Sequence, residues 1–138
     1  MSLRLERIDH IGIALSSIEA GLELYEGRLG MPVVHRETVE AQGVEAALLD
    51  VGDGHIELLV PLGPDTPVGK FIEDRGEGMH HVAYAVENIE RAMEAAAAAG
   101  LELIEPEPRI GIRNSRTAFI HPKTAIGVLI ELVEPASG

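Results

Sequence analysis

His55-Ile56-Glu57-Leu58-Leu59-Val60-Pro61 and Val128-Leu129-Ile130-Glu131-Leu132-Val133-Glu134-Pro135 are two versions of one pattern, an apolar strand interrupted by a glutamate and closed near a proline. Each is preceded by a matching first strand, Asp9-His10-Ile11-Gly12-Ile13-Ala14 in the earlier half and His80-His81-Val82-Ala83-Tyr84-Ala85 in the later one. The separations from His10 to Glu57 and from His81 to Glu131 are 47 and 50 residues, so the chain is an internal repeat.

Working outward from those strands, the same order of elements appears twice. In the first half, His10 to Leu15 alternates with His10, Gly12 and Ala14 on one face. Ser16 with Glu19 forms a capping-box signal, and apolar residues at helical spacing run up to Gly30, which predicts a helix over Ser17 to Leu29. Val33 to Glu40, Val44 to Val51 and His55 to Val60 read as three more strands, the last two joined by a hairpin at Gly52-Asp53-Gly54. A short helical segment around Val68 to Asp74 follows a Pro/Gly-rich connection. The second half restarts with a strand over His81 to Val86, an Asn88 cap and an alanine-rich helix over Ile89 to Ala99. Leu101 to Ile104, Arg116 to Ile120 and Gly127 to Val133 complete it as strands, and Pro106 to Asn114 reads mostly as loop.

The expected fold class is α+β: two βαβββ modules related by a pseudo-two-fold and joined into an open curved barrel around a metal site. The expected organisation is a single domain over 1–138, with module 1 at about 5–62, a linker at about 63–78 and module 2 at about 79–135. A chain of 138 residues with 46% hydrophobic content is long enough for one sizeable core.

Composition narrows the chemistry. There is no cysteine, so any metal must bind nitrogen and oxygen. The formal charge of −12 argues against nucleic acid. No run of about 18 apolar residues is present to cross a membrane, and Met1 to Arg7 lacks the apolar core of a signal peptide, so a cytoplasmic protein is expected. Four of the eleven Lys and Arg residues, Arg109, Arg113, Arg116 and Lys123, fall in one acid-free stretch, a local patch suited to an anionic small molecule.

Glu57 and Glu131 each sit inside an apolar run, where an unpaired carboxylate is costly to bury. Two imidazoles and two carboxylates, His10, Glu57, His81 and Glu131, suit a divalent ion, leaving about two open positions on six-coordinate Co2+, Mn2+ or Ni2+, or about one on five-coordinate Zn2+. His80 should face away from His81. His55, beside the hairpin turn, is expected to be exposed, and His121 is placed at a cavity mouth. There is no phosphate-binding glycine loop and no nucleophile elbow.

The paired modules and this ligand set resemble the vicinal oxygen chelate (glyoxalase/bleomycin resistance/dioxygenase) superfamily, and within it the methylmalonyl-CoA epimerase family. The resemblance runs from about Ile8 to Glu134, through Gln42-Gly43-Val44, Glu57-Leu58-Leu59, Gly78-Met79-His80-His81-Val82, Pro108-Arg109-Ile110-Gly111, Phe119-Ile120-His121-Pro122-Lys123 and Gly127-Val128-Leu129-Ile130-Glu131-Leu132. It implies metal ligation by His10, Glu57, His81 and Glu131, with Co2+ the first choice, and epimerisation at C2 of an acyl-CoA through a stabilised enolate. It implies Glu131 as one base. For the other face, Ala46 stands where some members have a glutamate, which leaves Glu57, held slightly ahead, Glu45 brought in by a bulge, a histidine or a water. Arg109, Arg113, Asn114, Arg116 and Lys123 are the implied substrate-binding residues, and a homodimer is the implied assembly. The competing readings are a glyoxalase I-like lyase or other isomerase of the superfamily, an extradiol-type dioxygenase, which needs two His and one carboxylate and against which the second Glu counts, and a metal-free small-molecule binding protein.

Overall fold

The computed structural model describes residues 3–136. Met1, Ser2, Ser137 and Gly138 of the expected 1–138 domain lie outside the described residues. The chain forms two compact units, one of residues 10–80 and one of residues 3–9 with 81–136. Both repeat the same βαβββ order, and the fold class is α+β.

In the unit of residues 10–80 the elements are β1 (Arg7–Ala14, from His10 onward), α1 (Ile18–Leu22), β2 (Val33–Val39), β3 (Val44–Val51), β4 (Gly54–Pro61) and α2 (Pro67–Arg75). The strand order is β2-β3-β4-β1, with β1 parallel to β4 and the other pairs antiparallel. Ser17 caps α1 by accepting from the Ala20 N–H at 3.2 Å. The helix packs Ile18 on Leu15, Ala47, Leu49 and Leu58, with Ile13, Ile56 and Val60 at the margin. One face of the sheet is thus committed to a helix-covered apolar core. Burial of Leu49 and Leu58, both 0% exposed, contributes roughly 1.5–3 kcal/mol each.

The other unit runs β5 (Gly78–Ala85, from His81 onward), α3 (Ile89–Ala98), β6 (Arg109–Ile110), β7 (Arg116–Ile120) and β8 (Ile130–Glu134). Its strand order is β5-β8-β7-β6, with β5 parallel to β8. This is the first unit's topology again. Asn88 caps α3 through the Arg91 N–H at 2.9 Å, and Glu134 Oε1 accepts from the Ile89 N–H at 2.9 Å. The helix buries Ile89, Ala92, Met93 and Ala96 against Ala118, Ile120 and Leu132.

Three expectations shift. The helix over Ser17 to Leu29 is α-helical only to Leu22 and continues as π-helical turns over Glu23–Arg28. Leu101 to Ile104 shrinks to an isolated bridge, Leu103 with Ile120, and the partner of β7 is instead Arg109–Ile110, in the stretch read as loop. The last strand begins at Ile130 rather than Gly127, because Ile126 and Gly127 take positive φ values of 57° and 83° that no strand accommodates.

One glycine is fixed by close approach. A Cβ on Gly69 would lie 2.4 Å from the Gly63 carbonyl oxygen and 3.0 Å from Pro64 backbone atoms, because α2 folds back on its own cap, where Thr66 accepts from the Gly69 N–H and donates to Gly63 O. Backbone has nowhere to yield. Gly69→Ala is expected to lower stability by about 1–3 kcal/mol, read as a fall in the thermal midpoint.

Candidate active site

In each unit the strand pairing brings the repeated histidine and glutamate together by the same construction. Gly12 stands opposite Glu57 across the parallel β1–β4 pair, and His10, two residues earlier, shares that face. Ala83 stands opposite Glu131 across β5–β8, and His81 again lies two residues earlier. The resulting distances are 3.4 Å from His10 Nε2 to Glu57 Oε1 and 3.2 Å from His81 Nε2 to Glu131 Oε1. All four residues are buried, between 5% and 7% exposed, on the sheet face opposite the helix. Phe119, directly across from Glu131 on β7, meets the His81 ring edge-on at 5.4 Å and helps fix its orientation.

The donor set fits a metal. Two ligands bonded at about 2.0–2.1 Å to one ion and separated by 3.2–3.4 Å subtend an angle of about 100–116°, a range that spans the tetrahedral value. The nitrogen and oxygen donors suit a borderline divalent cation, and no thiol competes.

The register of the 10–80 unit places further polar groups on the face that carries His10 and Glu57. Directly opposite residues share a face, so His10, His55 and Asp50 form one row, Gly12, Glu57, Leu48 and His35 the next, and Ala14, Leu59, Ala46 and Glu37 the third. His55, expected at the exposed hairpin, is half-buried and pairs with Asp50 Oδ1 at 2.9 Å. His35 Nε2 lies 2.8 Å from Glu37 Oε1. The sequence reading missed both pairs. The signal available for the second was the turn at Gly43, which sets Val39 against Val44 and hence Glu37 against Ala46.

Glu45 is corrected by the same register. The β3–β4 ladder runs without a break from Val44↔Pro61 to Val51↔Gly54, so no bulge turns Glu45 round. It lies on the helix-covered side and its carboxylate accepts from Arg36 Nη2 at 2.8 Å. His80 packs against Phe71 at 4.8 Å between ring centroids, on the face away from His81. His121 caps a 3-10 turn, its Nδ1 accepting from the Lys123 N–H.

The basic stretch is largely neutralised by acids from elsewhere in the chain. Arg109 donates to Glu105 at 2.7 Å, and Lys123 sits 3.1 Å from Glu102. Arg116 grips Glu90 of α3 through both terminal nitrogens, and that hydrogen bonding holds the Glu90 carboxyl below its ordinary range and raises the Arg116 guanidinium. Alternation puts Arg116 on the helix side of its sheet, away from Glu131, whereas Arg109 stands opposite Thr117, itself opposite Val133, on the Glu131 face. Arg116 therefore lies off the Glu131 face, committed to Glu90. Arg113 and Asn114 are exposed and hold left-handed backbone, φ 56° and 57°, a conformation concentrated at ligand-binding turns.

Residues 9–119 match the Glyoxalase/Bleomycin resistance protein/Dioxygenase superfamily. The chain belongs to that superfamily. Among its relatives in the superfamily, the ethylmalonyl-CoA/methylmalonyl-CoA epimerase of Cereibacter sphaeroides is 34% identical, over 91% of this chain and 96% of that protein. The methylmalonyl-CoA epimerase of Mycobacterium tuberculosis superposes with a TM-score of 0.93 at 39% identity, covering 96% of this chain and 90% of the other. A variant of the Streptomyces coelicolor methylmalonyl-CoA epimerase, in complex with 2-nitronate-propionyl-CoA, superposes at 0.91 with 40% identity, covering 96% and 99%. These superfamily members are isomerases. Among the described residues of this one, no helix is long and apolar enough to cross a membrane.

Proposed function

We propose that this protein is a metal-dependent methylmalonyl-CoA epimerase that interconverts the two C2 epimers of its substrate. The observation that carries the reading is the duplicated, buried His–Glu pair at ligand spacing, in a chain whose relatives are epimerases of that thioester. His10, Glu57, His81 and Glu131 are assigned as the ligands of a divalent ion, each His–Glu pair being at ligand spacing. When bound, that ion supplies Lewis-acid polarisation of the thioester carbonyl and stabilises negative charge on its oxygen as the C2 proton leaves.

The chain's own groups do the rest. Inversion at C2 needs a proton acceptor on one face and a donor on the other. Glu131, held by β8 against His81 in a buried setting, takes the C2 proton on its carboxylate from one face. Glu57, its counterpart in the repeat, is its partner in the ligand set. The small side chains beside them, Gly12, Ala14, Ala83 and Ala85, leave room for a ligand to approach the backbone. Burial around the carboxylates excludes water and strengthens every charge interaction there. Arg109, Arg113 and Asn114 are assigned to the carboxylate and phosphates of the acyl-CoA, Arg109 because it shares the Glu131 face. Lys123, ion-paired with Glu102, is left as a contact for the coenzyme tail.

The test is proton NMR of methylmalonyl-CoA in D2O with protein stripped of metal and then resupplied with Co2+, Mn2+, Ni2+ or Zn2+ in turn. Metal-dependent loss of the C2 proton signal together with formation of the other epimer is the expected result, and the ion giving the fastest exchange names the preferred metal. No exchange with any ion would overturn the reading and move a glyoxalase-like reaction on a thiohemiacetal to the front.

A further inference from the structure

We infer that Glu37 of β2, paired with His35, is the proton acceptor and donor for the second face of C2. The inference rests on the epimerase reading above and deepens it. Each conversion leaves one base protonated and the other bare, so both must be reset through water before the same conversion can occur again. A second base therefore needs a carboxylate on the site-bearing face, access to solvent, and no standing commitment to the ion.

The sheet of residues 10–80 offers few groups that meet those terms. Glu57 is 7% exposed, touches His10 and belongs to the ligand set. Asp50 is shorter by one methylene and is paired with His55 directly beside His10. Glu45 faces the helix and binds Arg36. Glu37 stands on the same face as Glu57, two strands away and one row along, where strand spacing of about 4.8 Å sets the carbon backbones about 10–12 Å apart. That gap leaves room on this face for a substrate carbon beside the ligand Glu57, within reach of the Glu37 carboxylate. Ala46, directly opposite Glu37, ends at its Cβ, so nothing longer than a methyl group on β3 intervenes in that row.

The environment of Glu37 suits proton exchange. Its side chain is 36% exposed and that of His35 is 32% exposed, which keeps both in contact with water. The His35 Nε2 at 2.8 Å orients the carboxylate and is itself a titratable group able to pass a proton on. In the forward direction the C2–H bond breaks towards Glu131, its electron pair moves into the enolate, and a protonated Glu37 delivers its proton to the opposite face of C2. In reverse, Glu37 takes that proton and Glu131 delivers.

The test uses metal-loaded wild-type protein and the variants Glu37→Gln and Glu37→Asp, each with the separate C2 epimers in D2O, following exchange by NMR and configuration by chiral chromatography. Glu37→Gln is expected to lose epimerisation by about 10²–10⁴-fold while still exchanging the C2 proton of the one epimer presented to Glu131, with retention. Glu37→Asp should fall between the two, and metal content and thermal midpoint should stay at wild-type values in both. Epimerisation by Glu37→Gln within about threefold of wild type would overturn the assignment. So would an equal loss of exchange for both epimers, which marks a structural role instead. Absence of exchange in the wild type fails the parent reading, and is told apart because it precedes any variant.

Discussion

Glu131→Gln is expected to reduce kcat by about 10³-fold or more, because the substitution removes in one step a proton acceptor worth about 10²–10⁴-fold and a charged ligand of the ion. The amide keeps the shape of the side chain and an oxygen able to meet His81 at the present 3.2 Å, so the fold should be retained. What it cannot do at neutral pH is hold a proton. The two contributions separate by measurement: titration of the variant with Co2+ until metal content matches wild type restores occupancy, and a residual deficit in kcat confined to exchange of one epimer belongs to proton transfer. A variant that regains wild-type kcat when saturated with metal would show that Glu131 ligates without acting as the base. Exchange in D2O adds a directional readout, since this variant should lose the epimer that Glu37→Gln keeps.

The parts of this site that sequence revealed are the parts encoded by local repetition. His10 with Glu57 and His81 with Glu131 were visible because each sits at a fixed place in a strand pattern that occurs twice, and alternation along a strand determines which residues share its face. The strand pairings then turned equal sequence positions into nearly equal distances, 3.4 and 3.2 Å. What stayed hidden depends on how elements pair and pack, which alternation along a single strand does not encode. The acid-free run from Arg109 to Lys123 looked like a positive patch only because its counter-charges precede it in sequence: Glu105 lies four residues before Arg109, Glu90 reaches Arg116 from α3, and Glu102 reaches Lys123 from the connection after that helix. His55 looked exposed beside its turn, yet antiparallel pairing returns it to Asp50. Glu45 required knowledge of whether the β3–β4 ladder was broken, and bulges leave weak local signals. The π-helical turns after Leu22 and the two-residue strand at Arg109 fall where propensity is nearly silent and tertiary packing decides.

His10→Ala and His81→Ala should weaken divalent-metal binding by similar factors, each more than about 100-fold, since even loss of a group that merely orients a ligand costs about 10–100-fold. Similarity of the two effects is the sharper half of the expectation. It follows from the repeat: in both units a histidine lies two residues before the residue opposite the glutamate, both histidines are buried, and both contact their carboxylate through Nε2. An ion held by one pair alone would make one substitution severe and leave the other near neutral. Isothermal titration with Co2+ on the two variants and on wild type reads the difference directly, without reference to activity. Comparable losses would mean that both halves of the chain contribute ligands to one ion, so that neither βαβββ unit can form the catalytic centre without the other. A large loss in one variant beside wild-type affinity in the other would place the ion within a single unit and assign the second His–Glu pair to the substrate instead.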